Sequence, residues 1–401
     1  MARNATIEAV DFFYLSMPEV KPIGDGSQDM LLVRVRAGDE IGWGECEASP
    51  LTSIAALVAP MSHSACQPVL TSVLGQPLRD VHDIARISRL VKENSLDLLQ
   101  ADHTLSGIEI AMWDLLGRRL EVPVYELLGA ARAYPKVAYA SALFGDTPEK
   151  TYAKARDVAA QGYRAAKFGW GPYGRGSAAD DADQVRAAAE GLGEDRMLLV
   201  DAGTVFGEDV DAAAERLPAL AEARVGWFEE PFVSGAFAAY RRLGSVAAST
   251  ESPYVVPRAA GEGAHDPYLA CNMIDHADLG FIQIDTGRIG GIGPAKRVAD
   301  YAAKRGVKYV NHTFTSHLAL SASLQPYAGM RESELCEYPV EASPLAMSLT
   351  AEHLLPDRDG EITLPEGPGL GLTVCPDAIR PYLVDTEIRV TGKTLYKTPE
   401  L

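Results

Sequence analysis

The sequence predicts an α/β protein, a (β/α)8 TIM barrel preceded by an α+β unit, and three observations carry that expectation. From Pro135 onward, apolar runs alternate with amphipathic helical segments eight times over about 200 residues. Before Pro135 the rhythm differs: strands of alternating polarity come first and helices follow. Finally, ionisable residues stand at the C-terminal ends of successive barrel runs, where barrels place their chemistry.

The N-terminal unit, residues 1–134, opens with ATIEAVDFFYLSM, DMLLVRVRA and EIGWGEC, whose period of two predicts an antiparallel three-strand meander. Helices are expected over 81–99 and 104–120, the second burying Ile108, Ala111, Met112, Leu115 and Leu116 on one face. Barrel strands are expected in KVAYASALFG, AAKFGW, MLLVDAG, VGWFEEP, VVPRAAGEG, LGFIQIDTG, KYVNHTF and ELCEYP, within 135–360. Helical segments lie between them, among them 148–162, 181–191, 209–223 and 294–306, with an irregular last helix expected. A doubly wound open sheet is the competitor, but no Gly-rich phosphate loop follows a first strand. The tail, 361–401, carries GPGLGLTV and a short helix and is expected to return to the N-terminal unit.

With 47% apolar residues in 401, the chain can bury a large core in more than one domain. Its net charge of −18 argues against nucleic acid and acidic membrane as partners. A small anionic substrate stays compatible, because a bound metal and a few cations reverse the field inside a cleft. No apolar run reaches bilayer length, and MARNATIEAVDFF lacks the pattern of an export signal. Five scattered cysteines, without paired spacing, predict reduced thiols and a cytoplasmic chain rather than disulfides or zinc.

The strand ends carry, in order, Lys167, Asp201, Glu229 with Glu230, Glu262, Asp285, His312 and Glu337. A lone carboxylate is usually a surface group; ionisable residues on seven successive strand ends are not explained that way. Asp201, Glu229 and Glu262 are 28 and 33 residues apart (229 − 201 and 262 − 229), about one strand, loop and helix each. On neighbouring parallel strands they converge at one mouth and repel unless a cation sits among them. Such oxygen donors favour Mg²⁺ or a similar ion. Asp285 and His312, 27 residues apart (312 − 285), fall on adjacent strands. There the aspartate fixes the imidazole tautomer and raises the basicity of the other nitrogen, making a proton abstractor. His317 is the rival base, but SHLALSAS reads as the start of the following helix.

These residues resemble the enolase superfamily, and within it the mandelate racemase-like subgroup, over nearly the whole chain. The resemblance rests on the ordered series VDAG, FEEP, GEG, DTGRIGG and the histidine strand, with EIGWGECEASP and SGIEIAMWDLLGRRLEVPVYELLG before them. It implies a modified barrel under an α+β capping domain that the C-terminal tail completes, and Mg²⁺ held by Asp201, Glu229 and Glu262. It also implies removal of the proton α to a substrate carboxylate, with the metal stabilising the enediolate. A homo-oligomer, dimer or octamer, is expected on the same ground.

The chain departs from the subgroup at strand two. Many members carry Lys-x-Lys there, whereas this sequence reads Lys167-Phe168-Gly169-Trp170, with glycine in place of the second lysine. A racemase needs two opposed bases, so one-base chemistry is favoured, and acid-sugar dehydration fits it: His312 takes the α-proton and, as imidazolium, helps the β-hydroxyl leave. KFGWGP is also similar to rhamnonate-dehydratase-like members. The resemblance makes Lys167 a fixed charge near the substrate, and Glu337 a protonated or electrophilic partner of the substrate carboxylate. It makes Arg288 a basic group near the metal, and Glu230 a residue behind the ligand Glu229. Trp170 is expected as a pocket wall, and loops 16–28 and 45–51 as the source of specificity. An epimerase using Lys167 as second base, or a non-catalytic relative, are the alternatives.

Overall fold

The computed structural model describes residues 5–47, 50–250 and 252–401. Residues 1–4 of the segment read for an export signal, and Ala48 and Ser49 of loop 45–51, lie outside the described residues.

Strands β1 (Ile7–Ser16), β2 (Asp29–Ala37) and β3 (Glu40–Cys46) form the antiparallel meander that the alternating sequence predicts. Helices Val81–Asn94 and Ala101–Leu120 follow. Asp80 caps the first, accepting from the N–H groups of His82 and Asp83. The second is buried almost all round from Thr104 to Gly117, not on one face alone. The sequence showed the face against the meander; the other lies against the barrel through Ser106, Glu109 and Trp113.

The barrel strands are β4 (Lys136–Leu143), β5 (Ala165–Gly169), β6 (Met197–Asp201), β7 (Phe228–Glu229), β8 (Arg258–Ala260), β9 (Phe281–Ile284), β10 (Lys308–Asn311) and β11 (Leu335–Pro339). Each pairs in parallel with the next from β4 to β10, and β11 returns to pair with β4. Between β10 and β11 the side chain of Asn311 replaces a ladder. Its Oδ1 accepts from the Glu337 N–H at 2.9 Å and from Tyr327 Oη at 2.9 Å. Inside the ring Tyr139, Leu199, Trp227 and Val310 fill the floor, with Tyr139 edge-on to Trp227 at 5.3 Å. Burying an aromatic there contributes about 2–3 kcal/mol.

Two expectations need correction. The helix expected over 209–223 is two helices, Val210–Ala214 and Leu217–Glu222, because Pro218 lacks an N–H and the helix restarts around it. Glu262 does not end a strand: β8 stops at Ala260, and Gly261, at φ 133°, turns the chain so that Glu262 sits in the following loop.

The tail first adds β12 (Glu361–Ile362), antiparallel to β4, and then buries Leu370, Val374, Ile379 and Tyr396 in the core of the N-terminal unit. Asp114 ties these parts together, accepting from the N–H of Leu370 at 2.8 Å, the N–H of Trp43 at 2.9 Å and Arg118 Nε at 2.8 Å. Helix Pro344–Ser348, the short irregular element after β11, also buries Leu345 and Ala346 in that core. No helix among the described residues is long and apolar enough to cross a membrane, and the five cysteines are free thiols.

Candidate active site at the barrel mouth

At the C-terminal mouth a cavity of about 270 Å³ lies between the barrel and the loop between β1 and β2. Asp201, Glu262, Lys167, His312, Arg288 and Trp170 all line it. Glu229 and Glu337 sit just beneath, fully buried.

The lower layer is a cluster around Lys167. Its Nζ lies 2.7 Å from Glu229 Oε1, 2.8 Å from Glu337 Oε1 and 3.5 Å from Asp201 Oδ2. Trp227 in the barrel floor donates its indole N–H to Glu229 Oε2 at 2.8 Å, and the Gly203 N–H donates to Asp201 Oδ1 at 2.7 Å. Glu337 accepts from Ser141 Oγ and from the Thr313 N–H, both at 2.9 Å, besides Lys167. Glu337 thereby ties β4, β5 and the loop after β10 together.

The upper layer is the His312 dyad. Nδ1 meets Asp285 Oδ2 at 2.7 Å, and Nε2 lies 3.0 Å from Glu262 Oε2. The Gly287 N–H holds the other Asp285 oxygen at 2.6 Å. Arg288 spans from the barrel to the N-terminal unit, 2.7 Å from Glu47 Oε1 and 3.6 Å from Glu262 Oε1. His317 stands apart: its Nδ1 accepts from the Leu354 N–H at 3.2 Å and its ring stacks on His353, as the first residue of helix His317–Leu324.

Charge explains these pairings. Burial pushes the Asp201 carboxyl up to about 6, with Lys167 opposing and Glu262 adding to the rise. Glu229 is raised well above the carboxylate range by burial, which Lys167 only partly offsets. Glu230, behind it and bonded to the Gly261 N–H at 3.1 Å, is raised to about 8 by burial and by Glu262. For Lys167, burial alone lowers the pKa, but Glu229, Glu337, Tyr139 and Asp201 outweigh it and keep the ammonium charged. His312 follows the same logic: burial lowers its pKa, and Glu262, Glu337 and Asp285 raise it well above the imidazole range. Glu262 is held below its ordinary value, the cations His312, Arg288 and Lys167 overcoming its burial.

The expected ligands Asp201, Glu229 and Glu262 occupy one mouth, Asp201 and Glu229 as register neighbours across β6 and β7. They are not the tightest group of potential ligating atoms; among the described residues that is Glu47, Asp285 and His312, within 4.8 Å of one another. The reason is visible: Lys167 serves as the cation for Asp201 and Glu229, while Glu262 turns to His312 and Arg288. The donor chemistry nonetheless suits a hard divalent ion: three carboxylates, two pushed up by burial because local cations do not neutralise them fully. Sequence reading named loop 45–51 but gave Glu47 no role, because its partner Arg288 lies far along the chain. It named loop 16–28 without singling out Asp25, and it missed Ser141, a small polar residue with no pattern to flag it.

The comparisons follow from this geometry. Residues 20–129 match the family model for the N-terminal domain of mandelate racemase and muconate lactonizing enzyme, and residues 150–378 match the enolase C-terminal domain-like model. A barrel with acidic strand ends under an antiparallel-sheet domain defines an enolase-type enzyme fold. The chain belongs to the mandelate racemase/muconate lactonizing enzyme group of the enolase superfamily. A crystal structure from Rhodobacter sphaeroides, described as a predicted mandelate racemase, is 59% identical with a TM-score of 0.93, covering 98% of this chain and 99% of that one. D-galactarolactone cycloisomerase of Agrobacterium fabrum is 28% identical over 88% of this chain and 90% of its own. Arabinonate dehydratase of Saccharolobus solfataricus is 25% identical over 67% of this chain and 69% of its own.

Proposed function

We propose that this protein is a Mg²⁺-dependent acid-sugar dehydratase. It removes the α-proton of a hydroxy-acid carboxylate and eliminates water from the β-carbon, leaving a 2-keto-3-deoxy acid after tautomerisation. The observation that carries this reading is the Asp285–His312 pair at the cavity, with no equally placed free base beside it among the described residues. His312 is oriented by Asp285 at 2.7 Å, while the opposite strand offers Gly169 and a lysine already engaged by three acids.

Asp201, Glu229 and Glu262 would hold the divalent ion, which when bound draws charge from the substrate carboxylate and so acidifies the α-carbon. Lys167 is a fixed cation below that carboxylate. Asp285 keeps the proton of His312 on Nδ1, so Nε2 is the basic atom. Nε2 here is covered by Glu262, so His312 serves as base only when Glu262 is committed elsewhere. The proton taken at Nε2 then passes to the departing hydroxyl on the same face, which one imidazole can do and a racemisation cannot. Glu337 positions Lys167 and the Thr313 backbone next to His312.

A neighbouring reading deserves a place because of the cycloisomerase relative: the same α-proton removal with a ring oxygen as the leaving group. An epimerase needs Lys167 as a neutral second base, and its three carboxylate partners oppose that. The test is a library of sugar acids and their lactones with Mg²⁺ in D₂O. A keto acid trapped by semicarbazide from an open acid supports dehydration. Keto acid from lactones alone supports cycloisomerisation. Deuterium appearing in both epimers without keto acid refutes the one-base reading.

A further inference from the structure

The charged groups that line the cavity are not all spoken for. Its cations line the barrel side, and each is engaged: Lys167 by Asp201, Glu229 and Glu337, Arg288 by Glu47 and Glu262, His312 by Asp285 and Glu262. The loop between β1 and β2 adds Ile23 and Asp25 to the lining, beside Leu143, Trp170 and Phe314, and brings no cation of its own to it. Among the loop residues in the lining, the charged group is the carboxylate of Asp25.

Asp25 is presented rigidly. Oδ1 accepts from the Ser27 N–H at 2.8 Å and from Ser27 Oγ at 2.7 Å. Ser27 is itself pinned to the barrel side, its Oγ accepting from the Ser343 N–H at 2.8 Å and its carbonyl from Ser343 Oγ at 2.6 Å. Among the described residues no hydrogen bond engages Asp25 Oδ2. The wall beside it is just as fixed. Trp170 has left-handed backbone (φ 57°), a conformation costing about 1–2 kcal/mol for a bulky residue. Its indole is wedged so tightly that a Cβ on Gly24 would come within 3.1 Å and one on Gly203 within 2.9 Å.

Resting on the proposed function, we propose that Asp25 is a specificity-determining residue that selects monocarboxylates. The reacting carboxylate faces the cations, and the far end of the substrate carries a neutral hydroxyl that donates to Asp25 Oδ2. A second carboxylate there meets the like charge of Asp25 in a pocket whose lining cations are already engaged by acids, which disfavours it by on the order of 100-fold. An aldonate is therefore accepted and the aldarate of equal length rejected, and that rejection comes from repulsion rather than from size.

The test measures aldonate and aldarate pairs of five and six carbons by calorimetric binding with Mg²⁺, and in parallel by α-proton exchange in D₂O. Asp25→Asn keeps an oxygen for the Ser27 N–H and so keeps the loop, while Asp25→Lys inverts the charge. Expected are an aldonate preference on the order of 100-fold, a gap below about tenfold in Asp25→Asn, and aldarate preference in Asp25→Lys. An aldarate bound as well as its aldonate by the native protein overturns the proposal. So does a preference that Asp25→Asn leaves unchanged. Discrimination in binding without proton exchange refutes the α-proton chemistry while the selectivity stands; exchange without discrimination does the reverse.

Discussion

Replacing Gly169 by alanine puts the geometry of the mouth under direct strain. Gly169 on β5 is the register partner of Asp201 on β6, and an added Cβ would lie 2.8 Å from Asp201 Cβ and 3.0 Å from Oδ2. Ordinary carbon contacts are about 3.5–4.0 Å, so the two chains must part by roughly 1 Å at a pair held by the sheet ladder. Overpacking of this kind costs about 1–3 kcal/mol. It moves the carboxylate itself, and a 1 Å misplacement of a reacting group costs on the order of 100-fold in rate. Gly169→Ala is expected to melt several degrees lower, to bind Mg²⁺ at least tenfold more weakly by calorimetry, and to lose about 100-fold in kcat. The larger Gly169→Lys is expected to lose activity without gaining racemisation, because its stem meets the same atoms. If Gly169→Ala keeps native melting and native Mg²⁺ affinity, the close approach is not what excludes a second lysine here.

Further outcomes are expected elsewhere. Asp285→Asn preserves the fold but lowers α-proton exchange by on the order of 10³-fold, since His312 loses the group that sets its tautomer; steady-state kinetics with circular dichroism checks both halves. Mg²⁺ at 100 times its Kd raises stability by about 2.7 kcal/mol, and Glu262→Gln shrinks that gain in thermal melts with and without the ion. Burial holds His103 and His317 down at about 4, so the unfolded chain binds more protons between about 4 and 6.5. Their contribution is complete above about pH 6.5 and is lost as pH falls toward 4, up to about 3 kcal/mol each; urea unfolding at pH 7 and 4.5 measures it, and His317→Gln flattens the slope. Glu109→Ala strands the N–H donors of Trp113, Ile292 and Gly293, costing about 2–4 kcal/mol and raising KM as the N-terminal unit loosens over the mouth.

Sequence alone determined the barrel, the meander and the identity of the groups at the mouth. Period and spacing are local properties: a strand, a loop and a helix consume about 30 residues whatever they pack against, so Asp201, Glu229, Asp285 and His312 reach the same rim. That His317 opens a helix was legible as well: SHLALSAS reads as a helix start, and Ser316 accepts there from the N–H groups of Leu318 and Ala319. Only the tertiary structure decided who pairs with whom. Lys167 stands between Asp201, Glu229 and Glu337, Glu262 leans on His312, and Glu47 arrives from another domain to meet Arg288. Those choices depend on desolvation and on distances of a few ångströms between residues up to 241 positions apart, which no pattern along a chain encodes. The same holds for Gly169: as a letter it was a missing lysine, and in space it is the room that Asp201 needs.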